Sequence, residues 1–232
     1  MKYSIHKRGE IAMKNILKIM LMMITIFTIA GSAVYAAEIP VSDQDQLITS
    51  RDWTEISNLQ DEMKKEEPDA TIDYDKALKV YVDCNLIKLQ TADTKKLTSA
   101  LESANYVWVI PFKMEKTYGM FTVAKGLPLS EEAKSVLTKA EQEEVKNHAG
   151  KWMITETAEH TVEPYYDILL EKREALSDCT RVVLVGSQPG MRQPVALGMD
   201  DETARIWISL GYQYPVMEKI PETQNVESGV YS

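Results

Sequence analysis

Helical and strand patterns of hydrophobic residues alternate along most of the chain. Apolar positions at helical spacing predict helices over about 50–67, 94–104 and 130–150. The third is predicted as one long helix that begins at Ser130, with Gly150 as its C-terminal stop. Its expected buried stripe consists of Ala133, Val136, Leu137 and Ala140.

Short apolar or alternating runs predict strands between and after these helices. Residues 78–82 alternate in a half-buried strand pattern, and 106–125 reads as two strands that form a hairpin. A strand at 151–157 and a helix at 164–176 follow, and 181–210 contains three further strand patterns. The turns between these last strands are predicted at Ser187–Gly190 and at Asp200–Glu202.

The short connections between neighbouring strands favour antiparallel pairing over a doubly wound parallel sheet. The expected fold is therefore α+β: a single domain with a largely antiparallel central sheet and flanking helices, preceded by a signal peptide. The predicted boundaries are a signal peptide over 1–36, a linker over 37–48, the domain over 49–210 and a loose tail over 211–232.

The most hydrophobic stretch lies near the N-terminus. Two lysines precede an almost wholly apolar run over 19–30, and small residues lead to a predicted cut after Ala36. An uncut membrane anchor is the alternative, because no charge occurs between 19 and 37, close to the lower limit of ~17–25 residues for a bilayer span. The last third of this run is rich in Gly, Ser and Ala, which favours cleavage and a secreted or extracytoplasmic location.

The first residues suggest a different start of translation. The sequence "KRGEIAMKN" reads as a leader that begins at Met13, and codons for residues 8–10 could form a purine-rich ribosome-binding site. We therefore expect a bacterial gene in which residues 1–12 are not translated. N-terminal sequencing of an uncleaved precursor tests this expectation.

Charge excludes two classes of partner. Of 26 basic and 35 acidic residues, residues 1–37 hold five and one, which leaves 21 and 34 and a net charge of −13. Nucleic acids and anionic membrane surfaces require a cationic face, so neither is expected as a partner after cleavage. Solubility outside the cell explains the acidity most simply, and a cation-binding acidic cluster is the alternative.

Two cysteines, Cys84 and Cys179, form the only pair that the chain offers. In an exported protein they are candidates for one disulfide that closes a long loop. Two unrelated buried thiols are the alternative. No nucleophilic role is expected for Cys84, since it lies next to a strand pattern.

Acidic residues and one histidine supply the candidate ligand sites. Asp73 and Asp75 lie on the same side of an extended segment, while Glu156, Glu159 and His160 belong to one charged stretch. Their spacings match neither a zinc motif nor an EF-hand, so solvated acids in turns and strand ends are the simpler interpretation. We expect neither a metal nor a cofactor.

Trp53 and Trp152 stand near the starts of predicted elements and are candidates for a binding face, but burial in the core is the favoured interpretation. The loop "VGSQPGM" has neither nucleophile-elbow spacing nor a following helix, so a turn is expected.

The sequence thus predicts an exported, non-catalytic domain that binds an extracytoplasmic protein or small ligand. A secreted hydrolase using the acids above, and an accessory or sensor subunit anchored by an uncut leader, remain as alternatives.

Overall fold

The computed structural model describes residues 39–89, 91–160, 163–186, 193–210 and 216–217. These belong to one compact unit that begins at Ile39. The predicted signal peptide over 1–36, the turn at Ser187–Gly190 and nearly all of the predicted tail lie outside the described residues, as do the side chains of Ile87, His160, Val216 and Met217.

The described residues contain nine strands in one sheet. They are β1 (Thr71–Ile72), β2 (Leu78–Tyr81), β3 (Tyr106–Lys113), β4 (Tyr118–Lys125), β5 (Trp152–His160), β6 (Arg181–Val185), β7 (Val195–Met199), β8 (Ala204–Ser209) and β9 (Val216–Met217). The order across the sheet is β5-β4-β3-β2-β6-β7-β8-β9, and β1 pairs with β3. The β2–β6 pair is parallel and the other pairs are antiparallel, as the short connections predict.

Seven α-helices accompany the sheet in the part of the chain that the structure describes, which confirms the α+β class. They are α1 (Trp53–Ile56), α2 (Gln60–Glu66), α3 (Leu86–Leu89), α4 (Thr94–Glu102), α5 (Glu131–Val136), α6 (Lys139–His148) and α7 (Tyr165–Glu171). A 3-10 turn at Ser57–Leu59 joins α1 to α2, so the first predicted helix consists of three short segments. It ends at Glu66, just before Pro68, because proline cannot continue a helix.

Alternate residues of the central strands cover the two faces of the sheet. On β6, Val182 and Leu184 pack with Leu169 of α7, whereas Val183 and Val185 pack with the opposite cluster. The face covered by α7 forms one continuous core. The opposite face is divided, with α1 and α2 covering β3–β5 and with α3 and α4 covering β6–β8. Strand β2 runs beneath the seam between these two helical groups.

The segment predicted as a linker contributes to the core from its third residue onward. Ile39 is 4% exposed and Leu47 is fully buried. Val41 forms a parallel bridge with Val182, and Gln46 bridges to Leu78. Backbone hydrogen bonds from Val182 to Pro40 and from Leu47 to Ala77 hold the segment against the strands, so its apolar residues Ile39, Val41 and Leu47 are buried.

The disulfide predicted between Cys84 and Cys179 is absent, and that prediction is wrong. Both residues are buried, but Cys84 packs in the cluster of Val183 and Cys179 in the cluster of Val182. Neighbouring residues of a strand point to opposite faces, so the sheet separates the two sulfur atoms. A disulfide requires Cα atoms within about 7 Å of each other, which this arrangement does not allow.

The long helix predicted from Ser130 is also wrong in detail, because two short helices occupy that segment. The backbone is extended at Leu137 and Thr138, and Thr138 with Glu141 then forms a capping box that starts α6. Val136, expected in a buried stripe, is 79% exposed. The predicted stop is correct, since Gly150 follows α6 with a φ of 76°.

Two predicted connections are confirmed. Strands β3 and β4 pair in register from Val107 with Ala124 to Lys113 with Tyr118, which is the expected hairpin. The turn after β7 is held by Asp200, whose carboxylate accepts hydrogen bonds from the amides of Glu202 and Thr203. Within the described part of the chain, none of the helices combines the length and apolar character needed to cross a bilayer.

Candidate functional site

The acids predicted from "IDYD" lie at a turn beside β1. Asp73 is half-buried and its carboxylate is 3.8 Å from Lys76 Nζ, while Asp75 is exposed. Lys76 is 2.8 Å from a carboxylate oxygen of Asp167, so the main ion pair of this turn joins it to α7. Asp73 therefore has a structural role, because its contact with Lys76 stabilises the turn.

The acids predicted on the later stretch lie on the edge strand β5. Glu156 and Glu159 are both exposed, and their odd separation places them on opposite faces. Glu159 pairs with Gly119 of β4, and two further pairings lead across the sheet to Ile72, next to Asp73. Three strand spacings, roughly 14 Å, therefore separate the two predicted acidic groups. The structure does not bring them together.

The two tryptophans that are candidates for a binding face belong to the hydrophobic core. Trp152 is 7% exposed and packs against Tyr106 with ring centroids 5.9 Å apart. Trp53 is half-buried and meets Tyr74 edge to face at 5.2 Å. Both lie over β3–β5, as the favoured interpretation of the sequence expected.

A cleft opens above β2, at the seam between the two helical groups. It has a volume of about 410 Å³. Its floor consists of Asp52, Lys79, Tyr81 and Tyr106, and its rim includes the turn over 49–51 and the C-terminal end of α4. This volume lies within the range of roughly 300–1,000 Å³ that small-molecule sites occupy.

Lys79 is the unusual residue of the floor. Its side chain is only 10% exposed, and its Nζ lies 4.6 Å from the ring centre of Tyr106 and 5.2 Å from that of Trp108. The nearest carboxylate oxygen belongs to Asp45, at 3.7 Å, which is an ion pair but too long for a hydrogen bond. No described residue accepts a hydrogen bond from this ammonium group, so its N–H donors remain for the cleft.

Asp45 holds the inner wall behind Lys79. It is 2% exposed, and its carboxylate accepts hydrogen bonds from Tyr81 Oη at 2.8 Å and from Ser42 Oγ at 2.6 Å. Arg181 donates a third hydrogen bond at 2.9 Å and supplies a second positive charge. A buried carboxylate is stable only when it is paired in this way.

Asp52 holds the opposite side of the floor. One oxygen, Oδ2, accepts hydrogen bonds from Tyr106 Oη at 2.8 Å and from Trp108 Nε1 at 3.0 Å. The other oxygen, Oδ1, has Arg51 Nε at 3.9 Å and accepts no hydrogen bond from the described residues. The floor therefore offers a cleft ligand one donor, Lys79 Nζ, and one acceptor, Asp52 Oδ1.

The surroundings shift the pKa values of the floor residues. Burial lowers the pKa of Lys79, and the carboxylates of Asp45 and Asp52 act in the opposite direction. Burial first, and then the charge of Asp45, raise the pKa of Tyr81 well above its usual value. The pKa of Tyr106 is raised by burial and by its hydrogen bond to Asp52. Both tyrosines therefore remain neutral phenols that donate to the two carboxylates.

The sequence did not identify this site. The predicted linker over 37–48 contains Asp45, and the half-buried pattern over 78–82 places Lys79 and Tyr81 on the solvent side of the strand. All four residues of β2 are buried, because both faces of this central strand are covered. A central strand therefore buries the lysine between Leu78 and Val80, and a buried lysine is the signal in the sequence that could have indicated the site.

The polar groups of the cleft are suited to hydrogen bonding with a ligand. Its lining, within the described residues, contains neither histidine nor cysteine. No group of three or more metal-ligating side chains occurs in the part of the chain that the structure describes. Comparison of this chain with protein families, with curated proteins and with solved structures found no match.

Proposed function

We propose that this protein is an exported bacterial domain that binds, without catalysis, a small polar ligand in the cleft above β2. The observation that carries the proposal is Lys79, whose side chain is nine-tenths buried at the floor of an open cleft and whose ammonium group has no hydrogen-bond acceptor among the described residues. A ligand that supplies the acceptor in this cleft gains a charge-assisted hydrogen bond, which contributes binding energy.

The floor is already arranged for binding. Asp52 is fixed by Tyr106 and Trp108, while Lys79 is held between aromatic rings and Asp45. Side chains fixed before the ligand arrives lose little conformational entropy when it binds. This favours a specific small-molecule site over an adaptable surface.

Export is the second part of the proposal. It is supported by the charged, apolar and small-residue zones of residues 1–36 and by the acidity of the remaining chain. Ile39, the first described residue, is buried in the core, so the predicted cut after Ala36 lies upstream of the described fold.

A thermal-shift screen tests the binding function. The purified protein is titrated with separate sets of neutral sugars, amino acids, carboxylates, phosphate and diamines, and at least one set is expected to raise its midpoint of unfolding. Lys79→Met should abolish the shift, whereas Asp69→Asn, an exposed acid outside the cleft, should retain it. If no compound shifts the wild-type protein, the binding proposal fails.

Intact mass spectrometry tests the export proposal. A product recovered from the culture medium or periplasm should begin at Ala37. Recovery of the uncut chain from membranes would support the anchored alternative, and recovery from the cytosol would overturn export.

A further inference from the structure

The charges around the cleft restrict the kind of ligand. The lining contains the carboxylates of Asp43, Asp52 and Glu102 against the positive charges of Arg51 and Lys79, a net charge of −1. Asp45 and Arg181 behind the wall compensate each other at 2.9 Å. An anionic ligand would therefore approach an excess of negative charge, and at close range like charges repel strongly in a partly buried site.

Lys79 shares the carboxylate of Asp45 with Arg181. Its Nζ lies 3.7 Å from Asp45 Oδ1, so Asp45 offsets its positive charge only in part. A ligand carboxylate placed on Nζ would sit close to that same aspartate. What Lys79 still offers is its N–H groups, which a neutral oxygen can accept without adding charge.

A cationic ligand meets the opposite difficulty. It would be attracted to Asp52 and to the acidic rim, but the ammonium group of Lys79 lies on the same floor. A neutral group that is donor and acceptor at once uses both floor groups without adding a charge to the cleft. A hydroxyl group is both.

The apolar part of the lining suits the carbon skeleton of such a ligand. Tyr81, Tyr106, Leu101 and Ala104 face the same cleft as the polar residues. Aromatic and aliphatic surface beside convergent hydrogen-bonding groups is typical of small-ligand sites. Rings with several hydroxyl groups on one edge and C–H groups on a face combine these two requirements.

We propose that the cleft binds a neutral polyhydroxylated molecule, a saccharide or polyol, with one hydroxyl oxygen on Lys79 Nζ and another hydroxyl donating to Asp52 Oδ1. This inference rests on the proposed binding function and specifies its ligand class. Because the contacts involve no charged ligand group, binding is only weakly sensitive to salt.

Isothermal titration calorimetry on the purified full chain tests the ligand class. The probes are neutral monosaccharides and disaccharides and linear polyols, with glutamate, inorganic phosphate and a diamine as charged comparisons. A neutral sugar or polyol is expected to bind, and its affinity should change less than about twofold between low salt and 0.5 M NaCl, since exposed charge interactions alone are strongly screened at that salt.

Two variants locate the contacts. Asp52→Asn keeps the shape and an oxygen for Tyr106 and Trp108, but removes the charged acceptor, and should weaken binding by at least about tenfold. Lys79→Gln, which retains a donor, should weaken binding less than Lys79→Met. The exposed Asp69→Asn should bind like the wild type, and circular dichroism verifies that each variant is folded.

The outcomes separate the two proposals. Binding of glutamate, phosphate or the diamine without any sugar or polyol would overturn the ligand class and leave the binding function intact. Sugar binding that Asp52→Asn and Lys79→Met leave unchanged would also overturn the inference, because the contacts would lie elsewhere. Absence of any binding in both this experiment and the thermal-shift screen would overturn the binding function itself.

Discussion

The substitution Asp45→Asn tests whether the buried charges behind the cleft stabilise the fold. Asp45 is 2% exposed and receives three hydrogen bonds, from Ser42, Tyr81 and Arg181. Asparagine has almost the same shape, so the packing changes little. It removes the negative charge and replaces one acceptor oxygen with an NH₂ group that faces other donors.

The expected loss follows from the charges left behind. Arg181 and Lys79, whose side chains are 19% and 10% exposed, lose their shared carboxylate. Removing one partner from a buried ion pair costs about 3–5 kcal/mol, and the partial exposure of Arg181 places the estimate near 3 kcal/mol. For a domain of this size, that corresponds to a fall in Tm of roughly 6–12 °C.

Urea unfolding followed by circular dichroism measures this change. Asp45 ends a 3-10 turn that begins at Asp43. The matched control is Asp43→Asn, which makes the same chemical change at an exposed position of that turn and should lie within about 0.5 kcal/mol of the wild type. The double variant Asp45→Asn with Lys79→Met also removes one of the two positive charges that Asp45→Asn leaves without a carboxylate. It should be at least about 1 kcal/mol more stable than the sum of the single changes predicts.

Two results would refute this reasoning. If Asp45→Asn unfolds within about 0.5 kcal/mol of the wild type, the carboxylate does not neutralise buried charge. If the Asp45 and Lys79 substitutions are strictly additive, the two side chains are not coupled, and the distance of 3.7 Å between them carries no energetic meaning.

Three further predictions concern the thiols, a glycine and a buried phenol. Alkylation in denaturant without reductant should add two adducts to the protein, because the sheet separates Cys84 from Cys179, and a need for prior reduction would contradict the fold. Gly150→Ala should cost about 1 kcal/mol in urea unfolding because φ is 76°, and Gly150→Asn should cost less, since asparagine tolerates that conformation; equal losses for the two would refute the conformational argument. Burial raises the pKa of Tyr165 to about 12, so the folded state holds this proton after the unfolded state has lost it. Stability should therefore fall between about pH 10 and 12, by roughly 2–3 kcal/mol from this group. Tyr165→Phe should flatten that alkaline slope, and an unchanged slope would be the contrary result.

The connections and the strand patterns were predictable because local chemistry specifies them. The hairpin over 106–125 and the turn at Asp200 follow from apolar runs and turn residues that are close in sequence. The helix over 130–150 shows the limit of pattern alone. Its spacing allows one continuous helix, yet the extended backbone at Leu137 ends the first helix, and the capping box formed by Thr138 and Glu141 starts another. Among the described residues, no element covers Val136 of the expected stripe, which is 79% exposed.

The distance between the two predicted acidic groups is decided by the tertiary structure. Asp73 follows β1 and Glu159 lies on the edge strand β5, with β3 and β4 between them. Strand order is a property of the whole fold, so the sequence alone does not show which acids lie close together in space. The tryptophans Trp53 and Trp152 were open to both interpretations, because an aromatic residue near the start of an element can face either the core or solvent.

By itself, the sequence determined the class of fold and most of the local elements, and it predicts export, because these depend on hydrophobic period, turn chemistry and charge within short segments. Only the tertiary structure decided which side chains meet. Asp45 and Arg181 are 136 positions apart in the sequence. Lys79 is buried because α1 and α2 pack on one side of β2, and α3 and α4 pack on the other side, over the same face of the sheet. The same arrangement places the two cysteines on opposite faces. Contacts of this kind depend on sheet order and on the covering of each face, and no short stretch of sequence encodes either one.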